Sequence, residues 1–193
     1  YTPPMPPLPD PKPWTIERTE TGPNLLIATA RFQHATNPRN GQTLRRTVLD
    51  VPDWVNVVAL TSERRVLVVR QYRFGTAKIT IEIPGGVIDL GEAPEAAARR
   101  ELQEETGYTA SRWTALGPVE PNPAFQTNLC HHYLAEDARL THPLELDPGE
   151  DIVVDALTLD ELTAAIRSGT IRHSLVVSAL SRVLDLRVHD LAR

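Results

Sequence analysis

Residues 86–108 read GVIDLGEAPEAAARRELQEETGY, and this stretch decides the fold. It sets Gly86, Glu92, Arg100, Glu101, Glu104, Glu105 and Gly107 in a fixed register: glycine, five residues, glutamate, seven residues, REL, one residue, EE, one residue, glycine. At about 7% usage per residue type, seven such positions coincide by chance on the order of once in 10^8 starting points.

The register has a physical reading. Gly85-Gly86 lets the backbone turn tightly after an apolar strand around residues 79–83. Asp89, Gly91 and Pro94 lead from a loop into a helix, with Pro94 in its first turn. Residues 95–106 are rich in Ala, Glu, Arg and Leu, all good helix formers. Gly107 is expected to end the helix as its left-handed cap. Glu101 and Glu105 lie one turn apart, and with Glu104 they cover roughly 100° of helix circumference. Like charges at this spacing destabilise a helix, and Arg100 can offset part of that through Glu104. Ala98 and Leu102 supply an apolar stripe to bury.

Three carboxylates beside a glycine turn suit a hard divalent cation, Mg²⁺ or Mn²⁺, which takes oxygen ligands. The turn can add a backbone carbonyl, that of Gly85. Taken alone, an acid-rich helix reads more readily as a solvated face. The register with Gly86, Glu92 and Gly107 reverses that, and makes Glu101, Glu104 and Glu105 the expected metal ligands. Carboxylates alone repel phosphate; with a cation they bind a diphosphate, polarise its phosphorus and acidify a water. The chemistry expected is hydrolysis of a phosphoanhydride by in-line attack of water.

The chain of 193 residues is long enough for one good core and a small second layer. A net charge of −5 gives no nucleic-acid footprint. Cys130 is the one cysteine, so no internal disulfide can form and a reducing cytoplasm is expected. No apolar run approaches the ~18 residues of a membrane span, so no membrane partner is expected. Residues 1–13, YTPPMPPLPDPKP, read as a proline-rich, extended tail without the layout of a signal peptide.

Strand-type residues in WTIERTE, NLLIATARFQ and RRTVLDV, separated by turn signals, predict an antiparallel β segment over residues 14–52. Residues 53–193 are expected to form the catalytic domain. WVNVVALT and RRVLVVRQYR read as a hairpin, ITIEIP as the strand into the glycine turn, and SRWTALGPV and LCHHYLAED as strands joined by PNPAFQTN. The loop THPLELDPGED precedes the strand IVVDALTL. Thr158 with Glu161 is a capping-box signal for a helix to about Ser168, ended by Gly169. Apolar residues from Leu175 to Leu186 predict a final helix from His173 to about Arg187. Mixed strands with helices on the faces give an α+β class, an α/β/α sandwich. Cys130, His131 and His132 are sequence neighbours on a strand, so alternate side chains face opposite ways and cannot form one compact metal set. They are read as packing residues, with His131 or His132 open to lining the pocket.

The register of residues 86–107 resembles the Nudix box, complete at its charged and glycine positions; Tyr108 stands where an aliphatic residue is usual. Glu92, Arg100 and the two glycines are then structural. The resemblance runs from about Trp54 to Asp137 and implies a Nudix fold, a mixed sheet between helices. RQYRFG followed by EIPGG is similar to the ADP-ribose and nucleotide-sugar hydrolase branch, where the arginine and the glutamate before the proline reach the substrate, here Arg73 and Glu82. Pro123 lies sixteen residues after Gly107, as is typical of that branch. An N-terminal β segment that exchanges between two subunits and helps bind the nucleotide is a further property of the branch, so a homodimer is expected. Trp54 reads first as core, with stacking on a base as the functional alternative. GEDI resembles the segment that supplies a glutamate as general base or further metal ligand, which points to Glu150, ahead of Glu145, Asp147 and Asp151; Glu104 is the alternative base within the box.

The resemblance implies a Mg²⁺-dependent pyrophosphohydrolase that splits ADP-ribose or a related nucleotide sugar into a nucleoside monophosphate and a sugar phosphate. Other substrates stay open, GDP-mannose among them. Phe125 keeps a dinucleoside polyphosphate in view. Nudix domains that act as ligand sensors carry a degraded box and a DNA-binding helix pair; here the box is intact and the C-terminal helices are not basic.

Overall fold

The structure, a computed structural model, describes residues 10–186. Most of the proline-rich tail and the expected end of the last helix at Arg187 lie outside the described residues. The chain divides into two compact units, one of residues up to Val51 together with Ala124–Thr127, the other of Pro52–Pro123 and the residues from Asn128 onward.

The first unit is a three-stranded antiparallel sheet of β1 (Thr15–Asn24), β2 (Thr29–Thr36) and β3 (Thr43–Asp50), in that order. Asn24 closes the first turn by accepting from the Leu26 N–H at 2.8 Å, an Asx turn that tolerates Leu26 at φ 71°. The connection 124–127, expected as a plain link, joins this sheet: Leu49 N–H donates to the Phe125 carbonyl at 2.7 Å. Among the described residues, the buried apolar side chains of this unit are alanines, Ala28, Ala30 and Ala35. Leu26 and Ile27 are exposed.

The second unit contains β4 (Trp54–Thr61), β5 (Arg65–Arg73), β6 (Lys78–Glu82), β7 (Tyr108–Thr109), β8 (Arg112–Val119), β9 (Cys130–Leu140) and β10 (Val153–Thr158), with helices α1 (Pro94–Thr106), α2 (Leu159–Arg167) and α3 (Ser174–Ser181). Strand order is β10-β5-β4-β9-β7, with β6 on β5 and β8 on β9. The β4–β9 pair is parallel and the rest antiparallel. Period-two alternation sends Val55, Val57, Ala59, Tyr133 and Ala135 to one face, against Ala97, Ala98 and Leu102 of α1. It sends Val58, Val66 and Val68 to the other, against Leu162 of α2 and Val176, Ala179 and Leu180 of α3. The sheet is thus sandwiched between helices, as the α+β expectation required. Truncating Leu102 to alanine at this close-packed seam costs about 2–5 kcal/mol.

The capping box of α2 forms as read, with Thr158 Oγ1 accepting from the Glu161 N–H. The last helix is shorter than its apolar period suggested. It ends at Ser181, with Arg182 as its cap, and the Arg182 guanidinium donates to the Leu116 carbonyl at 2.8 Å. Val183 and Leu186 still pack against the core, so apolar spacing continued past the helix without requiring it.

Candidate active site

Helix α1 opens with Pro94 and closes on Gly107 at φ 75°, whose N–H donates to the Gln103 carbonyl. Any side chain at Gly107 would also collide with the His142 carbonyl at 2.3 Å. The glycine turn before the helix is fixed to β4: Val55 N–H donates to the Gly86 carbonyl at 2.9 Å and Val57 N–H to the Pro84 carbonyl at 2.8 Å. A Cβ at Gly85 would lie 2.1 Å from the Val55 carbonyl oxygen, and one at Gly86 would lie 2.4 Å from the Glu101 carboxylate. Close approach to backbone therefore requires glycine at Gly85, whereas a side chain at Gly86 would displace the Glu101 carboxylate.

The turn is hydrogen-bonded to a carboxylate of the helix. Gly85 N–H donates to Glu105 Oε2 at 2.9 Å, and Glu105 is only 2% exposed. Burial pushes the Glu105 carboxyl up to about 8, with the charges of Glu101 and Glu150 adding to the rise and the Gly85 bond and Arg73 opposing it. Burial raises Glu101 as well, against the pull of Arg100. Arg100 is the organiser of the other carboxylates. It donates to Glu92 at 2.9 and 3.1 Å, to Glu101 at 2.8 Å and to Glu104 at 3.0 Å, and to the Val87 carbonyl at 3.0 Å. Glu92 also accepts from the Asp89 N–H at 3.2 Å, tying the loop to the helix. Among the described residues, no three His, Cys, Asp or Glu side chains converge as the ligands of an ion would; Glu101 and Glu104 instead share the Arg100 guanidinium, and Glu105 is bonded to the Gly85 N–H. Their chemistry nevertheless fits a hard cation: they are acidic, two are buried, and a cation would relieve the cost of ionising them.

A second acidic-basic pair stands at the end of β5 and β6. Arg73 grips Glu82 in a two-point ion pair, and Thr80 donates to Glu82 Oε1 at 2.6 Å. His173 Nε2 lies 4.0 Å from Glu82 Oε2. The charges of Glu105 and Glu150 hold the Arg73 guanidinium more firmly protonated, after the larger effect of Glu82, so this pair and the box helix share one electrostatic field.

The acidic loop after β9 leans on the end of α1: Glu145 N–H donates to the Glu104 carbonyl at 3.0 Å, and Thr141 and His142 N–H groups to the Gly107 carbonyl at 3.0 Å. Of the loop's acidic residues, Glu145, Asp147 and Asp151 are exposed, whereas Glu150 is half-buried. The Glu150 carboxylate accepts from the Asp147 N–H at 3.0 Å. Trp54 is half-buried where β4 begins and bridges to Val87. Pro123 is exposed in a turn. His132 is buried with both ring nitrogens unpartnered, and burial pushes it down to about 4, in keeping with a packing residue. His131 pairs with Asp53 at 3.2 Å.

Sequence reasoning missed Thr80 and His173. Thr80 stands two residues before Glu82 and shares its strand face, a signal that alternation could have provided. His173 carried none, since its approach depends on how α3 is laid down.

The glycine turn, the arginine-organised carboxylates and the sandwich around them are the Nudix arrangement, and the chain belongs to that family. The NUDIX domain model matches residues 52–178, and the chain is a Nudix hydrolase. It is 36% identical over 130 residues to the ADP-ribose pyrophosphatase of Bacillus subtilis (strain 168), covering 67% of this chain and 70% of that protein. It is 36% identical over 142 residues to the methanol dehydrogenase activator of Bacillus methanolicus, covering 73% and 77%. It is 31% identical over 154 residues to the GDP-mannose pyrophosphatase of Citrobacter koseri (strain ATCC BAA-895 / CDC 4225-83 / SGSC4696), covering 74% and 80%. The fold superposes on a solved structure described as an ADP compounds hydrolase, with TM-score 0.80 and 24% identity over 91% of this chain and 95% of that one.

Proposed function

We propose that this chain is a divalent-metal-dependent pyrophosphohydrolase of ADP-ribose or a related nucleoside diphosphate sugar, releasing a nucleoside monophosphate and a sugar phosphate. The observation that carries the reading is the buried Glu105 carboxylate pinned to the Gly85 turn, one helical turn from Glu101. Relatives named as ADP-ribose and GDP-mannose pyrophosphatases support the substrate class.

Glu101, Glu104, Glu105 and Glu150, with the Gly85 carbonyl, would hold Mg²⁺ or Mn²⁺, which supplies charge neutralisation for the diphosphate and an acidified water. Arg100 orients Glu101 and Glu104 and hands their charge over when a cation binds. Glu150 takes the proton of the attacking water, with Glu104 as the alternative acceptor. Arg73 meets the substrate phosphates, and Glu82, charged by Arg73 and Thr80, accepts hydrogen bonds from the nucleotide or sugar. Trp54 and Pro123 border the base. The protein works in the cytoplasm as a homodimer, in which the N-terminal sheet serves dimerisation and nucleotide binding.

The test is a phosphate-release screen over nucleotide sugars and dinucleoside polyphosphates, with an added phosphomonoesterase and with Mg²⁺ or Mn²⁺. Metal-dependent release from ADP-ribose above the others is expected. Preference for GDP-mannose or a dinucleotide would move the substrate. No turnover of any diphosphate would move the chain to the ligand sensors.

A further inference from the structure

Strand β4 carries one amide in a stretch that is otherwise aliphatic: Val55, Asn56, Val57 and Val58 are all buried. A buried amide needs good partners to offset its lost hydration. The Asn56 Oδ1 accepts from the Cys130 thiol at 3.0 Å, and a thiol is a weak donor. A valine would suit the strand and the core better. Departures of this kind from local rules concentrate where function sets the residue.

The surroundings of Asn56 say what that function is. The two backbone bonds that fix the glycine turn to β4 come from Val55 and Val57, the neighbours of Asn56 on either side. Asn56 therefore lies directly beneath Gly85. A Cβ at Gly85 would come within 3.0 Å of both Asn56 Cα and Asn56 Nδ2. From the same Gly85, the N–H reaches out to Glu105.

We propose that Asn56 is a positioning residue: its amide, oriented by the Cys130 thiol, is the floor that sets the Gly85 turn and thereby the N–H that aims the Glu105 carboxylate. Asn56 acts through Gly85 and touches neither metal nor substrate. The proposal rests on the reading of Glu105 as a metal ligand given above. A wrong floor lets the turn settle against β4 and draws the Gly85 N–H away from Glu105. The carboxylate then loses its fixed direction, and cation affinity falls without loss of the fold.

The experiment is Mn²⁺ binding to the full chain, followed by electron paramagnetic resonance without substrate, alongside kcat, KM and thermal denaturation. Asn56→Val is expected to keep or raise Tm, to weaken Mn²⁺ binding roughly tenfold or more, and to lower kcat with little change in KM. Cys130→Ser keeps a donor for Asn56 and is expected to bind Mn²⁺ as the wild type does, whereas Cys130→Val weakens binding in the same direction as Asn56→Val. A folded Asn56→Val protein with wild-type Mn²⁺ affinity overturns the proposal. If Asn56→Val does not fold, equal Mn²⁺ affinity of the Cys130→Ser and Cys130→Val proteins overturns it instead. A wild type that binds no Mn²⁺ refutes the metal reading itself, an outcome distinct from unaltered binding in the variants.

Discussion

The guanidinium of Arg73 holds the Glu82 carboxylate through two parallel bonds of 2.8 Å, Nε to Oε1 and Nη2 to Oε2. Burial pushes the Glu82 carboxyl up, but the bonds from Arg73 and Thr80 outweigh it and leave the group below its ordinary range. The pair therefore contributes stability above the ordinary carboxylate range and loses it as pH falls through the depressed value. Arg73→Ala strands a buried carboxylate and should cost about 1–3 kcal/mol, at the low end because Arg73 is half exposed. It should also raise KM for the diphosphate substrate. Arg73→Lys cannot reproduce the fork and should recover only part of either loss. Denaturation midpoints and steady-state kinetics on the two variants check both statements; equal behaviour of Lys and wild type would sink the two-point role.

Glu105 gives a pH signature of the opposite sign. Its folded carboxyl sits at about 8 against an ordinary value of 4.5. Between those values the folded chain keeps a proton that the unfolded chain releases. Without metal, stability falls as pH rises through that window. A divalent cation favours the ionised form, so the rise in Tm on adding Mg²⁺ should be larger near pH ~8.5 than near pH ~6. Glu105→Gln should abolish that difference and cut turnover by roughly 10²-fold or more. Near-normal turnover with the metal dependence intact would remove Glu105 from the site.

Glu150 is tested by comparison along its own loop. Glu150→Gln should lower kcat far more than it raises KM, while substitutions at Glu145 and Asp147, both exposed, should be mild. If Glu150→Gln is neutral and one of the others severe, the proton acceptor moves along the loop. If all are neutral, Glu104 becomes the acceptor.

The N-terminal sheet buries only alanines among its described apolar residues, too little for a core of its own. A dimer that covers it is the expected state in solution. Light scattering at micromolar concentration should return twice the chain mass, and deletion of residues 1–50 should impair activity. A monomer mass, or full activity after the deletion, would exclude it.

Residues 86–107 were legible in the sequence because their chemistry is local: caps, turn and carboxylate spacing all repeat within one or two helical turns. The same holds for Thr158 and Glu161, whose capping box lies within four residues. His173 meets Glu82 across ninety-one positions of chain, and such a meeting depends on packing that no short pattern encodes. Arg100 is the intermediate case. Its bond to Glu104 follows from helix spacing, whereas its hold on Glu92 and the Val87 carbonyl depends on the loop folding back on the helix.

Cys130 lies on β9 between β4 and β8 and is fully buried, and its thiol is pushed up to about 12 by burial and the Asp53 charge. Thiol reagents attack through the thiolate, so chemical labelling must wait until the middle of the sheet opens. Under native conditions the labelling rate then reports the free energy of that opening. A cation that stabilises the closed sheet will slow the reaction in proportion to its affinity. The chain's sole sulfhydryl is thus an intrinsic gauge of binding at a centre it does not touch, readable with a colorimetric reagent and no attached probe.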